Sequence, residues 1–170
     1  MAIVKYARGA RGNLTTNLAI EEFQCKCGKC SATVHDEALS FGLQKIRTHF
    51  GSPMIISSGY RCPTHNTNVG GSSKSYHVKG MAADIVMPGV NVSEICAYAE
   101  SIGFYGIGMY DDGYVHLDTR PKEKKAFWRN AEQTPVKTFI KSNELSAEET
   151  AKALIEGMKK IAAILKSLGY

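Results

Sequence analysis

Two histidines and two aspartates in this sequence are spaced so that they could hold a metal ion. The stretch "SYHVKGMAADI" (75–85) contains His77 and Asp84, and "YVHLD" (114–118) adds His116 and Asp118. Hydrolytic zinc sites use three protein ligands of these types and leave a fourth position for water. A zinc ion in such a site activates the water and polarises the carbonyl that the water attacks. The pattern predicts a hydrolytic zinc centre with His77, Asp84 and His116 as candidate ligands.

The seven-residue separation of His77 and Asp84 requires a turn between them. On a single strand, residues seven apart face opposite sides of the sheet. A helix would align them, but Gly80 and the β-favouring "ADIV" argue against a helix. We therefore predict a turn at Gly80 and a strand over 82–86 that returns Asp84 beside His77. A carboxylate between apolar neighbours needs a partner, and a metal ion is a suitable one.

The segment "YVHLD" alternates in the manner of a half-buried strand. Val115 and Leu117 would face the core, and His116 and Asp118 would share the other face. Asp118 would then lie roughly 6–7 Å from His116 along the strand. From there it could orient His116, accept a proton from the water or bind the metal itself. Taken singly, a histidine in a strand is more often an ordinary polar residue than a ligand, so this spacing alone is a weak signal.

The elements around these residues indicate an α+β fold. Apolar spacing predicts a helix within 34–50 with Asp36 as N-cap, and a second helix over 93–104 that begins at Ser93. Strands are predicted over 54–57 and 81–87, separated by a polar loop, and "DDG" between two apolar runs predicts a hairpin. The expected architecture is a small antiparallel sheet with helices packed on one face and zinc in a surface cleft.

The character of the sequence changes after residue 130. We predict a main domain over 1–130, a linker over 131–145 and a C-terminal amphipathic helix over 146–170, which a capping box of Ser146 and Glu149 would begin. The apolar stripe of this helix is expected to pack on its own domain or to mediate self-association. A membrane-surface role is less favoured, because glutamates offset the lysines on its polar face.

Composition and charge limit the classes of protein that this chain could be. Its 170 residues, 44% of them hydrophobic, suit one compact domain with an appendage. The N-terminal stretch has no signal-peptide pattern, and no run is long enough for a stable membrane insertion. We therefore expect a soluble product made in the cytoplasm, which would need a separate factor to release it if it acts outside the membrane.

The formal net charge is +5, and "RPKEKKAFWR" (120–129) supplies much of the basic excess. A solvated face is the preferred interpretation of that cluster. Attraction to a polyanion, either cell wall or nucleic acid, is the functional alternative. No nucleic-acid partner is expected, because no recognition motif accompanies the charge.

The five cysteines are an odd number, and without a secretion signal they do not suggest a disulfide framework. Cys25, Cys27 and Cys30 form a C-x-C-x-x-C pattern, which Cys62 or His65 could complete as a structural zinc site. The usual pair of C-x-x-C motifs is missing. Buried thiols and packing around turns are therefore the favoured roles, and one zinc ion, the catalytic one, is expected.

Three blocks of the sequence, taken together, resemble the M15 family of zinc peptidases. These blocks are "SSGYR", "SYHVKGMAADI" and "GIGMYDDGYVHLDTR", and they stand in the family's order with comparable gaps. The likeness is to the branch of small D-Ala-D-Ala carboxypeptidases and phage endolysins, which have a hedgehog-like zinc fold. It covers about residues 17–129 and leaves out the C-terminal segment.

The resemblance implies roles for individual residues. His77, Asp84 and His116 become the zinc ligands, Arg61 a catalytic and substrate-holding arginine, and Ser75 a substrate-contacting serine. A guanidinium suits a terminal carboxylate, whereas the Ser75 hydroxyl could equally cap a turn.

The position at which many family members carry the general base is occupied here by Gly113. Asp118 is therefore the favoured base, with Asp112 as the alternative. A variant in which Asp118 rather than His116 binds the metal also stays open.

The resemblance further implies a function. A zinc-dependent hydrolase of peptidoglycan stem peptides is expected, either a D,D-carboxypeptidase or an endopeptidase, acting as a phage or prophage endolysin on the cell wall after release. The alternative is a non-catalytic module with the zinc fold that binds cell wall or forms part of a virion, which the glycine at position 113 would favour.

Overall fold

The computed structural model describes residues 2–140 and, beyond them, Ile155 and Met158. Within the described part, eight strands and three α-helices follow one another. The strands are β1 (Ile3–Ala7), β2 (Ala32–Asp36), β3 (Ile55–Ser58), β4 (Ala82–Val86), β5 (Gly106–Met109), β6 (Val115–Asp118), β7 (Ala126–Arg129) and β8 (Thr134–Pro135). The helices are α1 (Glu37–Phe50), α2 (Pro63–Asn68) and α3 (Val92–Ser101), and Ile20–Phe23 and Lys122–Lys124 form short 3-10 turns.

The strands form two sheets, and the α+β class is confirmed. β1 and β2 pair as an antiparallel ribbon, and the other six strands form a sheet in the order β3-β4-β6-β5-β7-β8. The small antiparallel sheet is present as the ribbon of β1 and β2, whereas the larger sheet was not expected and is mixed, because β5 and β7 run parallel. The hairpin of β5 and β6 around "DDG" forms as predicted, with Met109 opposite Val115.

One face of the larger sheet carries the core together with α1 and α3. Ala83 and Ile85 of β4 and Val115 and Leu117 of β6 are fully buried in one apolar cluster with residues of both helices. Because side chains alternate along a strand, the residues between them point to the opposite face. That opposite face carries Asp84 and His116.

The helix boundaries refine the predicted ones. Asp36 caps α1 as expected by accepting a hydrogen bond from the Ala38 amide, but residues 34–36 belong to β2. In α3 the cap is Asn91, whose side chain accepts from the Ser93 amide, so the helix begins earlier than predicted. An asparagine one turn before an apolar run is as good an N-cap as serine.

Three elements gave no clear sequence signal. Three of the five residues of β1 are exposed, and β7 lies in the charged segment after residue 120. α2 falls in the predicted polar loop, where "PTHNTN" has a proline at a position that begins helices but no apolar stripe.

Residues 131–140 belong to the first compact unit, which ends at Ile140. β8 pairs with β7, and Glu100 accepts hydrogen bonds from the Phe139 amide at 2.7 Å and the Thr138 hydroxyl at 2.8 Å. This part of the predicted linker is therefore structured.

The predicted C-terminal helix over 146–170 lies outside the described residues, apart from Ile155 and Met158. Both of these are helical and exposed. Among the described helices, none is both long and apolar enough to cross a membrane.

Candidate metal centre

The structure brings together the three candidate ligands. Asp84 of β4 lies directly across from His116 of β6, and His77 approaches from the turn before β4. One donor atom from each residue lies within 4.8 Å of the other two. Asp84 Oδ1 is 3.2 Å from His77 Nε2 and 2.9 Å from His116 Nδ1, and the two nitrogens are 3.1 Å apart.

Gly80 makes the turn that places His77 beside Asp84, as the sequence predicted. Its φ of +71° lies in the left-handed region, and its amide donates to the His77 carbonyl at 3.1 Å. A Cβ on Gly80 would lie 2.3 Å from the Val34 carbonyl oxygen. Only glycine fits this position, because both the backbone conformation and the close approach of β2 exclude a side chain.

Hydrogen bonds outside the cluster fix which nitrogen of each histidine faces inward. His77 Nδ1 lies 2.7 Å from the Gly59 carbonyl oxygen, which can only accept, so Nδ1 carries the hydrogen and Nε2 keeps its lone pair. His116 Nε2 lies 3.1 Å from Asp118 Oδ2, which leaves Nδ1 facing Asp84 and His77. Two imidazole lone pairs and a carboxylate oxygen therefore converge. This donor set suits a zinc ion, and the outer partners are of the kind that orient zinc-bound histidines.

The site concentrates charge in a buried place. Burial opposes ionisation of Asp84, but the neighbouring imidazoles of His116 and His77 hold the pKa of its carboxyl well below the usual range. Burial also disfavours a charged His116, yet the carboxylates of Asp118 and Asp84 raise its pKa to about 9. The pKa of His77 is lowered, chiefly by burial. The three groups together thus attract positive charge, as a proton or as a metal ion.

Asp118 lies behind His116 and is fully buried. Arg120 holds it through Nε to Oδ1 at 2.8 Å and through Nη2 to Oδ2 at 2.7 Å. Burial raises the pKa of Asp118, but the hydrogen bonds from Arg120 and His116 lower it to about 2. These contacts fit the orienting role that the sequence left open for Asp118.

Arg61 and Ser75 both line the cleft in front of the three ligands. Arg61 forms an ion pair with Asp84 through Nη2 and donates from Nε to the Ser58 hydroxyl at 2.8 Å. Ser75 Oγ accepts from the His77 amide at 3.3 Å, so the hydroxyl does cap the turn. Their roles towards a substrate stay predictions.

The cleft has a volume of about 540 Å³, and three tyrosines and a tryptophan form part of its wall. Tyr110 and Tyr114 stack at 4.1 Å between ring centroids, and Trp128 Nε1 donates to the Tyr110 hydroxyl at 3.0 Å. The guanidinium of Arg120 lies 4.8 Å from the centre of the Tyr76 ring. Sequence reasoning missed these wall residues. Arg120 could have been found, because it continues the alternation of His116 and Asp118.

The two glycines of "GIG" make room for this arrangement. A Cβ on Gly106 would lie 2.0 Å from Asp118 Oδ1, and one on Gly108 would lie 2.5 Å from the Trp128 ring. Both glycines sit beside β6, opposite Asp118 and His116 respectively. Because neither glycine has a side chain, the Asp118 carboxylate and the Trp128 indole can lie directly against β5.

The carboxylates at the hairpin turn are not gathered into the cleft. Asp112 and Gly113 are exposed, and Asp111 is bound by Arg129 and Asn130. Neither Asp112 nor Gly113 is among the residues that line the cleft.

The basic cluster at 120–129 is partly neutralised. Arg120 pairs with Asp118, Lys125 with Glu100 and Arg129 with Asp111. These pairs leave less free positive charge than the sequence suggested, which favours the interpretation as a solvated face.

Comparison with known proteins adds an independent finding. The family model described as Peptidase M15 matches residues 16–118, a span that includes all three candidate ligands and Asp118. It also includes Arg61 and Ser75.

Individual relatives match part of that span. Peptidoglycan L,D-endopeptidase MepK of Escherichia coli is 37% identical over 75 residues, which is 41% of each chain. Probable peptidoglycan L,D-endopeptidase MepK of Haemophilus influenzae is 32% identical over 85 residues, 45% of this chain and 46% of the relative. Zinc D-Ala-D-Ala carboxypeptidase of Streptomyces albus G is 39% identical over 83 residues, 46% of this chain and 31% of the relative. The chain thus spans less than half the length of the curated relatives it matches.

Proposed function

The chain belongs to the peptidase M15 family, and on that premise we propose that it is a zinc-dependent hydrolase of peptidoglycan stem peptides. The observation that carries this proposal is the convergence of His77 Nε2, Asp84 and His116 Nδ1 at the cleft. The printed names of its relatives, a peptidoglycan endopeptidase and a zinc carboxypeptidase, support this substrate class and this metal.

His77, Asp84 and His116 would hold the zinc ion, since each presents an atom that has no other obligatory partner. When bound, zinc would supply an activated water and a Lewis acid for the scissile carbonyl. Gly59 and Asp118 keep the two imidazoles in the required tautomers through the hydrogen bonds described above. Arg61 holds the Asp84 carboxylate in place through their ion pair.

The cleft suits a peptide that carries carboxylates, as stem peptides do. Arg61 lines it and uses Nε and Nη2 on Ser58 and Asp84, so Nη1 has no partner among the described residues. We assign to this group the binding of a substrate carboxylate or of the carbonyl oxygen that becomes negative during attack. The stacked Tyr110 and Tyr114 would cover the apolar parts of the peptide.

For Asp118 we propose positioning of His116 rather than proton transfer. Its two oxygens are engaged by Arg120 and His116, and it is fully buried. A general base must lie within hydrogen-bond reach of the proton that it takes. Asp112, the alternative base, is exposed and does not line the cleft, so its position does not favour it. The zinc affinity and the activity of D118N distinguish positioning from proton transfer by Asp118.

Digestion of purified sacculi tests the proposal. Zinc-loaded protein should release muropeptides, the release should stop with a chelator and return with zinc, and H116A should be inactive. Mass spectrometry of the products identifies whether a D,D bond or an L,D bond is cut. Zinc-loaded protein that leaves sacculi intact would refute hydrolysis. If that protein still sedimented with sacculi, it would be the wall-binding module instead.

We propose a role as a phage or prophage lysin that acts on the wall after release. What supports it is the resemblance of the sequence motifs to that branch. The test is the turbidity of cells permeabilised from outside, which should fall with the native chain and not with H116A. Unchanged turbidity alongside cutting of purified sacculi would contradict a lytic role while leaving hydrolysis intact.

A further inference from the structure

A second cluster of metal-binding side chains lies outside the cleft. The Sγ atoms of Cys25, Cys27, Cys30 and Cys62 all lie within 4.8 Å of one another. Cys27 Sγ is 3.2 Å from Cys30 Sγ and 3.8 Å from Cys62 Sγ. We propose that these four cysteines bind a structural zinc ion, distinct from the one in the cleft.

The distances fit a shared metal better than disulfide bonds. A tetrahedral zinc with zinc–sulfur bonds of about 2.3 Å places its sulfurs roughly 3.8 Å apart. A disulfide needs about 2.05 Å, and all five cysteines are free thiols in this structure. Four thiols and no competing oxygen or nitrogen donor make a closed site, which is typical of structural rather than catalytic zinc.

Backbone amides already point at three of these sulfurs. Lys29 N donates to Cys27 Sγ at 3.4 Å, Cys62 N to Cys25 Sγ at 3.3 Å and His65 N to Cys62 Sγ at 3.4 Å. Such donors stabilise the thiolate form, which is the form that binds zinc. The His65 amide also belongs to the N-cap of α2, but the Lys29 and Cys62 amides have no such role, and amides gathered around sulfur are expected at a thiolate metal site.

The charges of the segment also suit the proposal. Four thiolates around one divalent ion leave two negative charges, and Lys26 and Lys29 stand between the first three cysteines in the sequence. Gly28, with φ of +66° and nothing within 4 Å of its Cβ direction, makes the turn that folds this short segment back on itself.

The structure also decides the fourth ligand that the sequence left open. Cys62 joins the cluster, whereas His65 contributes only its backbone amide. A four-cysteine zinc site can therefore form here without the usual pair of C-x-x-C motifs. One compact loop supplies three sulfurs, and a residue from a distant loop supplies the fourth.

This second zinc would fix the segment that supports the first site. Gly59 accepts from His77, Arg61 pairs with Asp84, and Cys62 follows directly. The Tyr60 amide donates to the Phe23 carbonyl at 2.8 Å, which joins the same segment to the chain just before Cys25. A zinc ion that ties Cys62 to residues 25–30 would hold Gly59 and Arg61 in the positions that the catalytic ligands need.

Counting zinc in the purified full-length chain tests this proposal without using activity. We expect two zinc ions per wild-type chain, one in H116A and one in C30S. C96A is the matched control, since it removes a thiol that lies in the core outside the cluster, and it should retain two. The second site would be refuted if the wild-type chain held one zinc ion, H116A held none and C30S still held one.

Cobalt substitution keeps the test decisive even if C30S fails to fold. H116A reconstituted with Co²⁺ should show intense thiolate-to-cobalt absorption in the near ultraviolet. Cobalt that gives only weak bands, or an intact mass lower by two hydrogens for a disulfide, would refute the proposal. The outcome does not depend on cutting of sacculi. Two zinc ions in a chain that cuts nothing would refute the proposed hydrolysis and support the second site.

Discussion

At the scale of single residues, the centre depends on which nitrogen each histidine turns inward. The carbonyl of Gly59 and the carboxylate of Asp118 each contact one imidazole nitrogen and leave the other facing the cluster of candidate ligands. A histidine without such a partner rotates and changes tautomer, so its affinity for metal falls. The outer partners are therefore as necessary to the site as the ligands.

Replacement of Asp118 by asparagine should weaken zinc binding about 10- to 100-fold, because the amide no longer holds His116 as a carboxylate does. Competition with a chromophoric chelator measures this change. D112N is the control and should bind zinc as the native chain does. If D118N bound zinc normally but lost hydrolysis, Asp118 would be the base instead of a positioning residue.

Replacement of Arg61 by lysine should lower kcat/KM about 10- to 100-fold, since one ammonium cannot contact Ser58, Asp84 and the substrate together. Steady-state kinetics on an isolated muropeptide measures the effect. R129K is the matched control, because Arg129 forms an exposed ion pair that contributes little. Equal rates for R61K and the native chain would contradict the role given to Arg61.

At the scale of elements, the centre is built by two neighbouring strands and one turn. β4 and β6 place Asp84 and His116 in register, and the turn at Gly80 brings His77 to them. The alternation that buries Ala83 and Leu117 in the core turns the candidate ligands beside them to the cleft. Packing of the core and the geometry of the site are therefore set by the same pairing.

Replacement of Gly80 by alanine should lower the free energy of unfolding by more than about 2 kcal/mol, through backbone strain and the clash with Val34. Urea denaturation measures it. G89A is the control, because Gly89 also has a positive φ of +78° but nothing within 4 Å of the added Cβ. Its loss should be about 1 kcal/mol. If G80A and G89A lost the same free energy of unfolding, backbone strain alone would explain the loss, and the contact with Val34 would contribute nothing.

At the scale of the whole molecule, stability should depend on pH through the buried His35. This residue lies in β2 against Phe23, with 4.6 Å between ring centroids, and its Nε2 has no partner among the described residues. Burial lowers the pKa of His35 from 6.5 to about 4. The folded state therefore keeps it neutral where the unfolded chain would already bind a proton.

The free energy of unfolding should fall as pH drops from about 6.5 to about 4, by about 3 kcal/mol from this residue. Above that window the contribution is complete, since both states are neutral. H35L cannot bind the proton, so its stability should fall less over the same range. Urea titrations of the native chain and H35L at several pH values measure the difference. If the free energy of unfolding fell equally with pH in both chains, His35 would not be the group responsible.

The sequence by itself determined the class of fold, the hairpin, the turn at Gly80 and the three candidate ligands. These features rest on local patterns: alternation along β6, a glycine between two ligands, and motifs of fixed spacing. The parallel β7, the short α2 and the ordering of residues 131–140 escaped prediction. Their positions depend on contacts with distant segments rather than on periodicity.

Only the tertiary structure decided which distant groups hold the candidate ligands in place. Arg120 holding Asp118, Gly59 holding His77 and Cys62 completing the cysteine cluster all join residues that the sequence cannot pair. The physical reason is that spacing fixes which side of a strand or turn a residue occupies. Which distant group meets it there depends on how the strands pair and how the loops close over them.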